Sequence, residues 1–461
     1  MNRLATLAFV LCGLAAIQAR AADAPPNVVV LLADDLGRAD CGFMGGTQIR
    51  TPHLDRLAGA GAKLDAHYVQ PVCSPTRAGL LTGRYPMRHG LQVGVVRPWA
   101  RYGLPLEERT LPQALQEAGY ATGIVGKWHL GHFERAYLPT RRGFDFQYGH
   151  YNGAIDYFTH ERDGGFDWHR DDAASRDEGY STRLIGREAA RFVAEHGGRR
   201  PFFLYVPFNA VHAPHQAPAE TVAQYPDLKG DRRLYAAMLA EMDAAVGEIV
   251  AAVEAAGVRS NTMFLFSSDN GGPAPGRVTD NGPFRAGKGT LYEGGVRVAA
   301  FATWDGHIPA GATVPDPIHV VDWYPTLLKL AGAPAAQPLA VDGVDVGPTL
   351  TAGRRLPERT ILLNAAPAAG AVRRGDWKLV VRRGREDPDD GDATAAAGRE
   401  TVELYHLGED PSETQDRAAR EPAVVRELRA ALDAFAAQAV PPRARPKPPG
   451  FVAPRVWGEA G

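Results

Sequence analysis

Four apolar runs in this chain each end abruptly in groups that a core would reject, and that pattern restricts the fold more than any other feature. The runs are "NVVVLLADD" (Asn27 to Asp35), "ATGIVGKWHLG" (Ala121 to Gly131), "PFFLYVPFNAVHAPH" (Pro201 to His215) and "NTMFLFSSDNGG" (Asn261 to Gly272). Near-continuous Val, Ile, Leu and Phe reads as strand buried on both faces, as in a parallel sheet. Helical patterns lie between the runs. "LPQALQEAGY" leads into the second, and Asp231 to Ala256 carries Leu234, Met238, Met242, Val246, Ile249 and Val253 on one side. The pattern predicts an α/β fold with a large, mainly parallel sheet flanked by helices.

The polar groups that close the runs are Asp34 and Asp35, Lys127 and His129, His212, and Asp269 and Asn270. Open α/β sheets bind ligands at the carboxyl ends of their strands. Each group alone reads as a turn or cap residue, but four on one edge read as a site. Asp34, Asp35, Asp269 and the Asn270 amide oxygen are hard donors, suited to calcium or magnesium rather than zinc. Without a cation, three such carboxylates would repel one another and take up protons. Lys127, His129, Arg77 and Lys288 add positive charge and point to an anionic substrate group.

The stretch "QPVCSPTRAGLLTGRYP" (Gln70 to Pro86) reads as a helix start, with Ser74 as cap, Pro75 in the first turn and Arg77 soon after. Cys73 then faces the positive end of a helix dipole, where an anion is favoured. It reads either as a small residue buried at a helix entrance or as the nucleophile that the site otherwise lacks. Metal, cations and a helix N-terminus together suit a tetrahedral oxyanion.

The opening "MNRLATLAFVLCGLAAIQARAADAPP" reads as a secretory signal: Arg3, an apolar stretch from Leu4 to Ile17, then Ala19-Arg20-Ala21 as a small-x-small cleavage site. The apolar stretch is short for a membrane span, and Leu11 before Cys12 argues against a lipid anchor. Cleavage after Ala21 leaves a secreted or periplasmic chain whose two cysteines, Cys41 and Cys73, allow a single disulfide. The net charge of −2 gives no general drive toward nucleic acid or membrane, while 51 glycines and 36 prolines suit a loop-rich enzyme.

With these residues assembled, the chain resembles the sulfatase family of the alkaline-phosphatase-like superfamily. Cys73-Ser74-Pro75-Thr76-Arg77 fits the Cys-x-Pro-x-Arg signature and Thr82-Gly83-Arg84 its second half. "LLADDLG", "GKWHLG", "SSDNGG" and "GTLYEGGVR" follow in the family's order, and the resemblance runs from about Asn27 to "VELYHLGEDPSETQD". "LPTRRGFDFQYGHYNGAIDYFTHE" and "YVPFNAVHAPHQAP" resemble the arylsulfatase B type, the N-acetylgalactosamine-4-sulfatases.

The resemblance implies that a formylglycine-generating enzyme oxidises Cys73 to Cα-formylglycine during maturation, leaving Cys41 as an unpaired thiol in a loop. It implies calcium held by Asp34, Asp35, Asp269, Asn270 and the modified Cys73. Arg77 and Lys127 would stabilise the hydrated aldehyde, one hydroxyl of which attacks sulfur with Asp269 as proton acceptor. Lys288 and His212 would contact the sulfate, His212 would protonate the leaving alcohol, and His129 would take the proton that lets the aldehyde re-form. The implied substrate is a sulfated carbohydrate, specifically the 4-sulfate of a terminal N-acetylgalactosamine in glycosaminoglycan degradation. Tyr151, Tyr157, His160 and Glu161 are candidates to stack on the sugar ring and bind its hydroxyls. Rival readings are a phosphoesterase or phosphonate monoester hydrolase of the same superfamily, and a non-catalytic binder of sulfated glycans.

Past "VVDWYPTLLKLAGA", a further helix, the texture changes. "RTILLNA", "GAVRRGDWKLVVRR" and "ETVELYHL" read as short strands at hairpin spacing, followed by a helix from about Glu421 to Ala437. The division expected is a signal peptide at 1–21, a catalytic domain at 22–357 and a C-terminal α+β subdomain at 358–461. That subdomain resembles the small sulfatase sheet packed by a helix. The polar insert "GREDPDDGDATAAAGRE" is expected to be mobile, and the proline-rich ending to lie extended over the body.

Overall fold

The four apolar runs become adjacent parallel strands: β1 (Asn27–Ala33), β2 (Ala121–Lys127), β3 (Phe202–Pro207) and β4 (Thr262–Ser268). The computed structural model describes residues 25–335, 337–383 and 400–459. The signal segment 1–21 and nearly all of the polar insert lie outside the described residues. β1 sits between β3 and β4 in a ten-stranded sheet, with β2 and then Phe146–His150 extending the parallel block on one side. Antiparallel Ala300–Thr303 continues it on the other. Val28, Val30 and Leu32 face one core while Val29, Leu31 and Ala33 face a second, so both faces are covered. That two-sided burial is the reason the run shows no polar alternation.

Helix α1 (Cys73–Thr82) is buried along its whole length. Helix α2 (Ser181–His196) lies beyond the elements inferred from pattern. It packs along α3 (Gly230–Ala255), which buries the expected Met238, Met242, Val246, Ile249 and Val253. α3 also buries Tyr235, Ala236, Ala237 and Leu239, with the Tyr235 hydroxyl donating to Asp40 at 2.8 Å. Among the described residues, no helix is long and apolar enough to cross a membrane.

The late strands form a separate antiparallel sheet in chain order: β5 (Thr360–Ala365), β6 (Ala369–Arg374), β7 (Trp377–Arg383) and β8 (Glu400–His406). One face takes Leu428 and Leu432 of α4 (Pro422–Ala436) against Leu362, Val372 and Leu379. The other packs Ile361, Leu363, Ala371 and Val380 onto Tyr68, Leu291 and Val296 of the main body. The chain after α4 is extended and bonded to the body as expected. Val440 N–H donates to Met87 O at 2.9 Å, Arg443 N–H to Gly90 O at 2.8 Å, and Trp457 N–H to Phe166 O at 2.9 Å.

Charge also crosses the junction of the two sheets. Lys378 of β7 is buried with its Nζ 2.9 Å from Glu293 and 2.8 Å from Glu413. Burial works against ionisation of Glu293, but Lys378 and then Arg297 bring its carboxyl down to about 2. Lys378→Met would remove the cation shared by Glu293 and Glu413, leaving Arg297 against Glu293 alone. It is expected to cost about 3–5 kcal/mol in denaturant unfolding, as for one partner removed from a buried pair. A loss within about 0.5 kcal/mol, the range of an ordinary surface change, would show that the triad does not hold the junction.

Candidate active site

The carboxyl edge of the parallel block gathers the polar groups because the strand ends are in register. Asp269 N–H donates to Ala33 O, and Asp34 N–H donates to Ala210 O, both at 3.0 Å. Chain crossings there are close: a Cβ on Gly126, at φ 134°, would lie 2.1 Å from Pro207 O, and Lys127 follows directly. Two of the expected site residues have left-handed backbone, Asp35 at φ 63° and His129 at φ 59°. For residues other than glycine such strain costs on the order of 1–3 kcal/mol and concentrates at functional sites.

Three carboxylates meet three fixed cations at this edge. Asp34 accepts from Lys127 Nζ at 2.5 Å, and Asp35 from Lys288 Nζ at 2.8 Å. Asp269 Oδ2 accepts from Arg77 Nε at 3.2 Å and Nη2 at 2.8 Å. Asp34, Lys127, Arg77 and Asp269 are fully buried. Burial opposes the Asp35 charge, yet Lys288 and then His212 hold its carboxyl well below the usual range. At Asp269 burial wins. Together with the neighbouring Asp34 charge it pushes the carboxyl up to about 6, against Arg77.

The donor set fits a hard cation. Asn270 Nδ2 donates to Asp35 Oδ1 at 2.7 Å, while Asn270 Oδ1 is buried with no hydrogen-bond partner. An orphaned acceptor among carboxylates is the mark of a cation position. Asp34, Asp35, Cys73 and His212 each bring a ligand atom within 4.8 Å of the others. Asp269 joins them through the Asp35 N–H, which donates to its Oδ1 at 3.3 Å.

Cys73 is the first residue of α1, and its Sγ lies 3.4 Å from Asp34 Oδ1. The helix starts two residues earlier than expected, with Val72 rather than Ser74 at the cap position. Ser74 makes no cap bond there. Its hydroxyl donates to His129 O at 2.9 Å and accepts from Val96 N–H at 3.0 Å, tying the helix to two loops. Among the described residues Cys41 and Cys73 are both free and buried, so the one possible disulfide is not formed. Burial, then the Asp269 charge, holds the Cys73 thiol well above its ordinary pKa.

A cavity of about 120 Å³ opens over this edge and is lined by Cys73, His129, His212 and Lys288, with Val95, Val96, Arg97, Pro98, Gly153 and Arg162. Of the expected site residues, Asp34, Asp35, Arg77, Lys127, Asp269 and Asn270 stand behind that lining. The two histidines have assignable tautomers. His129 Nε2 faces Val96 O at 3.0 Å and therefore carries the proton, which leaves Nδ1 as a buried acceptor with no partner. His212 Nδ1 donates to Ala213 O at 2.5 Å, so its Nε2 is the free nitrogen, 3.6 Å from Asp35 Oδ2. Burial first and Lys288 next push His212 far down its range.

Three of the proposed sugar contacts are structural instead. Tyr151 is buried, stacks on His169 at 4.1 Å and donates to Asp171 O. Tyr157 donates to Asn209 O and His212 O, and His160 stacks on Trp168 at 4.5 Å. Both are buried, and Glu161 alone of the four is exposed. Pattern reasoning missed His150, which pairs in register with Lys127 at the end of the fifth parallel strand. The rule of polar residues at strand ends would have found it in "FQYGH".

The family model "Sulfatase" matches residues 26–333. Arylsulfatase J of Mus musculus is 36% identical over 94% of this chain and 80% of its own length. N-acetylgalactosamine-6-sulfatase of Mus musculus is 35% identical over 78% of this chain and 72% of its own. The solved structure of Ps i-CgsB in complex with k-i-k-neocarrahexaose superposes with a TM-score of 0.82 at 31% identity, covering 91% of this chain and 94% of that one. The chain belongs to the sulfatase family, hydrolases of sulfuric esters.

A divalent cation at this edge is expected to stabilise the fold. Calcium or magnesium at 100 times its Kd should add about 2.7 kcal/mol to stability and raise the unfolding midpoint of metal-stripped protein. Asp35→Asn should remove most of that rise. Identical melting of stripped protein with and without either ion would overturn the cation position.

Proposed function

We propose that this chain is an exported, calcium-dependent sulfatase in which Cys73 acts as Cα-formylglycine. The observation that carries the reading is the convergence of Cys73, His129, His212 and Lys288 in one cavity directly above the carboxylate set. The raised thiol pKa supports it too, because a cysteine kept protonated is a poor nucleophile and is better explained as a precursor. Calcium at Asp34, Asp35, Asp269, Asn270 and residue 73 would supply a Lewis acid for the sulfate, and the hydrated aldehyde its attacking hydroxyl.

The chain's own residues do the rest. Lys288 Nζ, on the cavity wall, binds the sulfate, and Lys127 and Arg77 pair with Asp34 and Asp269 from behind. Asp269, poised near neutrality, accepts the proton released at residue 73. His212 presents Nε2 to the leaving oxygen. Burial and then Lys288 lower its proton affinity, and a bound anion works against the Lys288 contribution. His129 takes the last proton on Nδ1, the atom that its bond to Val96 leaves open.

The substrate class is a sulfated saccharide, with the 4-sulfate of N-acetylgalactosamine as the specific expectation. The two sulfatase-B-like stretches support that position, whereas the N-acetylgalactosamine-6-sulfatase relative and the carrahexaose-bound neighbour support a sulfated saccharide without favouring the 4-sulfate. The burial of Tyr151, Tyr157 and His160 leaves the choice of sulfate position to other lining residues.

Purified protein is expected to turn over an aryl sulfate in clear preference to an aryl phosphate, which separates the reading from a phosphoesterase and from a non-catalytic binder. Mass spectrometry of the Cys73 peptide should show the aldehyde. Cys73→Ala should abolish turnover, and Cys41→Ser should leave most of it. Fully active protein carrying only the thiol would sink the mechanism. Among the 4-sulfate and 6-sulfate of N-acetylgalactosamine and the 6-sulfate of N-acetylglucosamine, the first should give the highest kcat/KM. Preference for either 6-sulfate would overturn the position and leave the sulfatase reading intact.

A further inference from the structure

Two arginines line the same cavity and have no part in the site as built above. Arg97 and Arg162 stand in its wall beside Cys73, His129, His212 and Lys288, and no carboxylate is among the lining residues. Lys288 is matched by Asp35. Among the described residues nothing matches Arg97: its Nε is buried without an acceptor, and its guanidinium lies 5.9 Å from the Trp99 ring. Arg162 Nε also lacks a hydrogen-bond acceptor. Its ion pair, Asp163 Oδ1 at 3.4 Å, belongs to a side chain that is 43% exposed.

Both arginines are set on fixed backbone. On either side of Arg97, Val96 N–H donates to Ser74 Oγ at 3.0 Å, His129 Nε2 to Val96 O at 3.0 Å, and His132 Nε2 to Pro98 O at 3.1 Å. Arg162 lies in the hairpin of Glu161–Arg162 with Gly165–Phe166, and its carbonyl accepts from Trp457 Nε1 at 2.9 Å. A guanidinium whose Nε–H is out of water without an acceptor bears an uncompensated desolvation cost, which an anion in the cavity can offset. The scissile sulfate already has Lys288 and His212 as its contacts on the wall, whereas Arg97 and Arg162 have no anion assigned to them.

We propose that Arg97 and Arg162 form a second anion site beside the sulfate pocket, so that the preferred substrates are dianionic saccharides. The second charge is a further sulfate ester or a carboxylate on the same or the neighbouring sugar. This inference rests on the sulfatase reading of the cavity and names its substrate class more narrowly.

The test compares wild-type protein, Arg97→Gln, Arg97→Lys and Arg162→Gln on four substrates. These are 4-nitrophenyl sulfate, N-acetylgalactosamine 4-sulfate, a disulfated galactosamine disaccharide, and a sulfated disaccharide carrying a uronate. For wild-type protein, kcat/KM on one of the two dianionic saccharides should exceed that on the monosulfated sugar by about 10- to 100-fold, the worth of charge-assisted hydrogen bonds. Whichever arm gains identifies the second anion. Arg97→Gln should erase most of that ratio through KM, with a much smaller loss on 4-nitrophenyl sulfate, and Arg97→Lys should restore part of it. Arg162→Gln should act in the same direction. Equal losses on all four substrates, or no preference for either dianion, would overturn the proposal.

If wild-type protein hydrolyses no sulfate ester, the sulfatase reading fails and calorimetry decides the anion site separately. The disulfated disaccharide is then titrated into Cys73→Ala protein with and without the additional change Arg97→Gln. It should bind about ten-fold more tightly where Arg97 is kept, as one charged hydrogen bond requires. Unchanged affinity would count against the site.

Discussion

Asp34, Asp35 and Asp269 are brought together at the carboxyl edge of a sheet with almost no water to solvate them. Much of the chain around them can be understood as neutralising that charge. Lys127 comes from the end of β2, across β3 from Asp34, Arg77 from the buried helix that begins at Cys73, and Lys288 from a loop past β4. Removing any one of the three cations would leave a carboxylate without its partner, a far larger penalty than the loss of an exposed pair. The unpartnered Asn270 oxygen and the raised Asp269 carboxyl mark where the protein's own cations fall short.

The same edge shows a division of labour between rigid and loop-built parts. Strand ends and α1, with Lys288 from the loop past β4, hold the groups that face the reacting anion. The wall above them comes from segments far apart in the chain: Val95 to Pro98, Gly153, and the hairpin at Arg162. The proline-rich tail braces that hairpin, since Phe166 N–H donates to Arg455 O and Trp457 N–H returns a bond to Phe166 O, both at 2.9 Å. The small C-terminal sheet, with its second core and the Lys378 cluster, holds the region from which the tail departs.

Ser74 illustrates how a correct local expectation gives way to a longer-range one. Its hydroxyl suits a helix cap, but two loop partners, His129 O and Val96 N–H, take it instead, and in doing so they fix residues on both sides of the cavity. Tyr151, Tyr157 and His160 show the opposite limit. In the sequence an aromatic loop residue near a site looks like a ligand contact, and only its neighbours reveal that its polar atom is spent on backbone carbonyls.

The sequence by itself determined the parallel sheet, the edge at which it is functional, and the carboxylates, lysines, histidines and Arg77 gathered there. Runs buried on both faces cannot hide an Asp, Lys or His, so the residues that break them must lie at strand ends. It also carried the motif around Cys73 and the change of texture that becomes the second sheet. Only the tertiary structure decided which of those residues reach the cavity and which stand behind it, which tautomers His129 and His212 hold, and where Arg97 and Arg162 fall. Those properties depend on hydrogen bonds and close approaches between segments tens to hundreds of residues apart, such as Val96 with His129 and Arg162 with Trp457. No local pattern of side chains encodes such pairings; they exist only once the sheet has brought the loops to one edge.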